Sequence, residues 1–241
     1  MNVYWLEQTE VDVRSEDDWL HASELVRLRA MRVPKRRTDW RLGRWTAKLA
    51  FAAYLDLPAH SRFLMDMEIR PAETGAPELY FADKPADASI SISHCGGRAI
   101  CAIAASGIEL GCDLERIEPR TDAFIADYFT DAEKAVIART SAANNPRMLA
   151  LLWSAKESAL KVLQTGLRAD TRSVMVNPGN ILFSDDENWR PLDVRCDTGR
   201  AFKGWWQHDA AFIRTLVAST STAAPILLTA ADACVGGPGR I

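Results

Sequence analysis

The spacing of apolar residues changes several times along the chain, and each change predicts an element. The opening stretch VYWLEQ reads as a strand. In SEDDWLHASELVRLRAM, Trp19, Leu25 and Leu28 recur near helical spacing, with Ser15 as cap. Pro34 is expected to break that helix, and Thr38 or Asp39 to start a second through WRLGRWTAKLAFAAYL, ended by LPAH. Strand-like pieces follow at 79–81, 89–93, 99–104 and 108–114, the middle two joined by His94-Cys95-Gly96-Gly97. Thr130 with Glu133 forms a capping box for a helix through Ile137. Asn145 as N-cap and Pro146 as first helical residue open a long helix, RMLALLWSAKESALKVL. Short strands, AAFIRTLVA among them, finish the chain. The order predicts an α+β fold whose two halves are similar in layout.

Charge adds a second pattern. From Arg27 to Lys48 there are nine basic residues against one acid, Asp39. From Glu109 to Glu133 there are eight acids against Arg116 and Arg120. Two solvated faces would account for this. The overall charge of -3 gives no general attraction to nucleic acid or anionic membrane. With 241 residues, 48% of them hydrophobic, the chain can bury a sizeable core. Its five scattered cysteines (Cys95, Cys101, Cys112, Cys196, Cys234) include no CxxC pair and predict reduced thiols in a cytoplasm. No signal peptide and no membrane span are expected.

The chemistry-bearing candidates lie where these patterns meet. In GCDLERIE, Asp113 and Glu115 project from one strand face, while Cys112 and Leu114 face the other way. Two adjacent carboxylates repel and call for a partner, for which Mg²⁺ is suited; a solvated strand end is the plainer alternative. On the long helix, Trp153, Glu157 and Lys161 form one stripe, and Leu152, Lys156 and Leu160 its neighbour. A simple Glu157–Lys161 helix pair would also explain part of the first stripe. In SISHCGG, Ser91 and Ser93 share a face and His94 ends the strand before a glycine turn.

Taken together, RLGRWTAK (41–48), SISH (91–94), GCDLE (111–115) and WSAKESALK (153–161) resemble the 4′-phosphopantetheinyl transferases, specifically the larger surfactin-synthetase-activating type. The resemblance covers roughly residues 35 to 165, with looser similarity to about 220. It implies a monomer of two α+β halves related by a pseudo-twofold axis, with the active site at the seam. The N-terminal half, 1–110, would carry the phosphate clamp for coenzyme A: Arg37, Arg44, Lys48, Ser93 and His94. The C-terminal half, 111–225, would carry the Mg²⁺ ligands Asp113, Glu115 and Glu157 and the catalytic helix, and 226–241 would be a tail. Glu157 is the candidate base, with Lys156 and Lys161 neutralising phosphoryl charge or orienting it. The implied reaction moves the phosphopantetheine arm of coenzyme A to a serine of an apo acyl or peptidyl carrier protein, leaving 3′,5′-ADP. Two departures stand out. Gly75-Ala76-Pro77 lacks the lysine of the family's frequent Gly-Lys-Pro, and Lys48 stands where the family has an arginine.

Glu133 is an acidic position of family type that the capping box explains equally well. The segment Phe124–Ile137, flanked by Arg116 and Arg120, is expected either to receive the carrier protein or to be core. Two further readings use the same residues: a Mg²⁺-dependent nucleotide phosphohydrolase, and a nucleic-acid-binding module built on residues 27–48. The acidic overall balance and the lack of aromatic residues interleaved with a basic surface argue against the latter.

Overall fold

The computed structural model describes residues 1–177, 183 and 187–229. The N-terminal part runs β1 (Tyr4–Thr9), α1 (Ala22–Ala30), α2 (Pro34–Tyr54), α3 (Ser61–Met65), β2 (Met67–Pro71), β3 (Pro77–Phe81), β4 (Lys84–Pro85), β5 (Ala88–Cys95) and β6 (Arg98–Ala105). It is followed by β7 (Leu110–Arg116), α4 (Asp122–Tyr128), α5 (Asp131–Arg139), α6 (Asn145–Val162), β8 (Val174–Asn177), β9 (Arg190–Cys196), β10 (Ala201–His208), β11 (Phe212–Ala218) and β12 (Ile226–Leu227). This is an α+β fold.

Several boundaries differ from expectation for local reasons. Pro34 opens α2 instead of ending α1: at the first helical turn its missing N–H has no intrahelical partner to lose. Helix α1 starts late, at Ala22, because His21 is the N-cap, its ring accepting from Ser23 N, and Glu24 completes a capping box. His94 and Cys95 belong to β5, and the hairpin turns on Gly96 and Gly97 at φ +56° and +79°, the left-handed region that glycine enters freely. Asn144, not Asn145, is the N-cap of α6, with Pro146 in its first turn. The Thr130–Glu133 capping box forms as expected.

The strands build one sheet in the order β12-β1-β6-β5, a small sheet β2-β3-β4 lying against β5, and a third in the order β7-β11-β10-β9-β8. Helix α2 covers one face of the first sheet and α6 one face of the third. The remaining faces pack on each other, so the layers run helix, sheet, sheet, helix. The inter-sheet core contains Val3, Ile100, Ala102, Cys112, Leu114, Phe212 and Leu216. This explains why β6 and β11 are buried on both faces: in β6, Cys101 and Ile103 face α2 while Ile100 and Ala102 face the other sheet. At one end the layers are tied by a closed ring of charges. Arg214 donates to Glu7 at 2.5 and 2.9 Å and to Asp209 at 2.9 Å, while Arg98 reaches Glu7 at 3.1 Å and Asp209 at 3.0 Å.

The two parts repeat one arrangement. The order β1-β6-β5, continued by β3-β2, matches β7-β11-β10-β9-β8, and in each part the long helix follows a short one. The stretch expected as a tail is structured at its start. Ile226 and Leu227 pair in parallel with Tyr4 and Trp5; residues 230–241, including Cys234, lie outside the described residues.

Candidate active site

The site is set by the contact between β7 and α6. Glycine is required at 111, since a Cβ there would lie 1.9 Å from the carbonyl oxygen of Ser158. With no side chain in the way, α6 lies close on β7, and the Trp153–Glu157–Lys161 stripe meets the strand face bearing Asp113 and Glu115. Lys161 Nζ donates to Cys112 O at 2.7 Å and pairs with Asp113 Oδ1 at 2.9 Å. Trp153 Nε1 donates to Glu115 Oε1 at 3.1 Å, and Arg120 holds Glu115 Oε2 at 2.9 Å. The alternative Glu157–Lys161 pair is therefore not what engages Lys161.

Strand β5 closes the other side. Ser93 Oγ donates to Asp113 Oδ1 at 2.8 Å, and Ser91 Oγ accepts from Cys112 N at 2.9 Å. Both serines thus point at β7, as their shared face predicted, and they carry the junction between the two parts of the chain. His94, exposed at the strand's end, has its pKa lowered by desolvation, with Lys161 and Lys35 adding to the effect against Asp39.

The carboxylates are electrostatically strained. Burial, then Asp113, raises Glu115 to about 7, against the pull of Arg120. Burial, then Asp113, raises Glu157 to about 6, against Lys161. Burial opposes the charge of Lys161, but Asp113, Cys112 and Glu157 hold its pKa above the usual lysine value. Two buried oxygens, Asp113 Oδ2 and Glu157 Oε1, have no hydrogen-bond partner among the described residues. Such atoms are costly unless something else engages them. A divalent cation suits this donor set, because carboxylate oxygens are the ligands Mg²⁺ prefers. The three carboxylates do not bring one oxygen each within 4.8 Å of the others; His21, Glu68 and Asp83 do, but Arg70 already neutralises that group. Of the three expected ligands, Asp113 and Glu157 offer free oxygens, whereas both oxygens of Glu115 are taken.

Two expected residues are corrected. Lys48 is not at a phosphate-binding surface: it is fully buried, pairs with Glu24 at 2.6 Å and donates to the carbonyls of Trp19 and Leu64 at 3.0 and 2.9 Å. Lys156 is likewise fully buried, paired with Glu133 at 2.9 Å and donating to the carbonyls of Thr171 and Val174. An ammonium has three protons, and each of these lysines has three protein acceptors, so neither has a donor left for substrate. Of the other clamp candidates, Arg37 is exposed near the start of α2. Arg44 stacks 4.8 Å over Trp40 and lies 3.5 Å from Glu24; burial lowers its pKa to about 10.

The segment Phe124–Ile137 is mostly packed inward: Phe129 and Ile137 are buried, and Phe124, Ile125 and Val136 pack on the same core. Tyr128 is exposed, next to Phe124 and Trp153. Two features escaped the sequence reading. A hollow beside His94 is lined by Lys35, Arg36, Asp39 and Trp40. A cleft of about 850 Å³ runs between the β2–β3 turn with β5 on one side and the end of α6 on the other, with Lys161 in its wall. Only the pairing of the two parts creates it, so no local pattern could announce it.

No curated protein matches this chain. Among solved structures it is similar to Helicobacter pylori holo-[acyl-carrier-protein] synthase in complex with coenzyme A. The identity is 17% and the TM-score 0.35, over 43% of this chain and 99% of that one. Residues 109–217, which contain Asp113, Glu115, Glu157 and Lys161, match the model of the 4′-phosphopantetheinyl transferase superfamily.

Proposed function

We propose that the chain transfers the 4′-phosphopantetheine arm of coenzyme A to a serine of an apo acyl or peptidyl carrier protein, with Mg²⁺, releasing 3′,5′-ADP. The observation that carries this reading is the meeting of Asp113, Glu157 and Lys161 beside a large cleft, all inside the stretch that matches the superfamily model. The chain would work as a monomer of two halves, 1–110 and 111–225, with the reaction at their seam. It would serve as a cytoplasmic enzyme of the larger, surfactin-synthetase-activating type. No helix among the described residues is long and apolar enough to cross a membrane.

In this reading Asp113 and Glu157 would hold Mg²⁺ through their free oxygens, and Glu115 would join them if Arg120 released it. Bound there, the metal would withdraw charge from the diphosphate and stabilise the leaving phosphate. Lys161 fixes the orientation of Asp113 and places a positive charge at the cleft wall. Glu157, at the edge of the metal, is the candidate to take the proton of the serine hydroxyl. Ser93 positions Asp113 from the opposite side. Arg37, Arg44 and His94 supply donors for the phosphates of coenzyme A. The competing phosphohydrolase reading is separated by one assay: coenzyme A breakdown measured with and without an apo-carrier protein. Transfer requires the carrier, and steady release of 3′,5′-ADP without one would favour hydrolysis instead.

A further inference from the structure

The cleft between the β2–β3 turn and the end of α6 carries four charged side chains in its lining: Glu78, Glu109, Lys161 and Arg168. Their availability differs. Lys161 is committed to Asp113 and Cys112 O. Glu109 is neutralised by Arg200 at 2.5 Å, and Glu78, with no cation partner among the described residues, accepts from Tyr80 Oη at 3.4 Å. Arg168 has no carboxylate partner among the described residues. Its guanidinium touches only neutral carbonyls: Nε donates to Thr165 O at 3.2 Å, and Nη2 to Thr74 O at 2.9 Å and Gln164 O at 3.3 Å. Nη1 has no protein partner among the described residues.

These contacts also orient it. Thr74 lies in the β2–β3 turn and Gln164 just after α6, and Thr74 Oγ1 donates to Gln164 Oε1 at 3.1 Å. The guanidinium is thus held across the cleft, between the two parts of the chain, with its charge uncompensated. Its place faces the turn Gly75-Ala76-Pro77, which brings no cation of its own to the cleft.

We propose that Arg168 is the anion-binding residue of this cleft and grips a phosphate group of coenzyme A. A planar guanidinium already fixed at one edge can give its remaining N–H groups to phosphate oxygens with little further loss of freedom. The inference rests on the coenzyme A reading above.

The test is calorimetric titration of coenzyme A into the wild-type chain and into Arg168→Ala, Arg168→Gln and Arg168→Lys, at low and high salt. Arg168 is exposed, and thermal unfolding should be unchanged in all three. The expected result at low salt is binding about fivefold weaker or more for Ala and Gln, less for Lys, with the difference shrinking at high salt. Repeating the titration with 3′-dephospho-coenzyme A identifies the phosphate: a penalty that vanishes assigns Arg168 to the 3′-phosphate, one that persists to the diphosphate. Wild-type binding that Arg168→Ala and Arg168→Gln leave unaltered overturns the proposal alone. Failure of the wild-type chain to bind coenzyme A overturns the reading beneath it as well.

Discussion

Lys48 and Lys156 occupy the same place in two copies of one device. Lys48 meets Glu24, the third residue of α1 and partner in its capping box; Lys156 meets Glu133, the third residue of α5 and partner in its box. Glu24 also accepts from Ile69 N at 3.1 Å in β2, as Glu133 accepts from Val176 N at 2.9 Å in β8. Each ammonium lies over an aromatic ring just before the short helix, Trp19 at 5.6 Å and Phe129 at 5.8 Å. The sequences agree, WTAK at 45–48 and WSAK at 153–156. One residue further on they part. Leu49 is core where Glu157 is a strained acid, and Ala53 stands where Lys161 holds Asp113. The strands differ in the same sense: helix-facing Tyr4 and Leu6 of β1 are apolar, whereas Asp113 and Glu115 of β7 are charged. The shared residues hold each long helix to its neighbours, and the charged stripe Glu157–Lys161 stands on one copy only.

The largest effect should come from the shared device. Lys48→Met and Lys156→Met each strand a buried glutamate, and each should lose on the order of 3–5 kcal/mol of stability in denaturant unfolding. Replacing the glutamate as well, with Gln, should recover part of the loss. A Lys156→Met chain of full stability that had lost only turnover would break the equivalence and return Lys156 to catalysis.

The unshared positions should separate turnover from folding. Glu157→Gln should lower transfer at least about a hundredfold, the scale for a positioned acid–base group, with no loss of stability in unfolding. Its counterpart Leu49→Ala should cost about 2–5 kcal/mol of stability through the cavity it leaves. Near-normal turnover in Glu157→Gln would remove that residue from the site.

A smaller effect concerns pH. Glu157 is raised from 4.5 to about 6 and Glu115 to about 7, so the folded chain binds more protons than the unfolded chain in that window. Their contribution to stability must then fall as pH rises from 4.5 to 7, by on the order of 1–2 kcal/mol for Glu157. In thermal unfolding without divalent cations, Glu157→Gln should flatten this decline relative to wild type, and Mg²⁺ should offset it in wild type above pH 6. Parallel profiles would show that Glu157 is not strained in this way.

The smallest effect is at Ala76. Ala76→Lys places a further cation in the cleft, beside Lys161 and Arg168, and should tighten coenzyme A binding several-fold at low salt, about 1 kcal/mol, and less at high salt. No change by calorimetry at low salt would mean that the turn does not present this side chain to a phosphate.

What the sequence made legible follows from the range over which each signal acts. Period and capping are local, so the strands β5 to β7, the Thr130–Glu133 box and the shared face of Asp113 and Glu115 could be read directly. Burial of a charge is not local: Lys48 and Lys156 look like surface bases until Glu24 and Glu133, 24 and 23 positions away, turn out to meet them. The repeat of WTAK and WSAK was the available signal, since two lysines in like apolar surroundings suggest a common structural task. The same limit hid the cleft and Arg168, which depend on Thr74 and Gln164 meeting across 90 residues.

The most direct test of phosphopantetheine transfer is mass spectrometry of a panel of apo-carrier proteins incubated with coenzyme A, Mg²⁺ and this chain, wild type beside Glu157→Gln. The predicted result is a phosphopantetheine mass gain on the acceptor serine of at least one carrier, dependent on Mg²⁺ and reduced at least about a hundredfold in rate by the substitution. A folded wild-type chain that consumes coenzyme A while every carrier keeps its apo mass would contradict it.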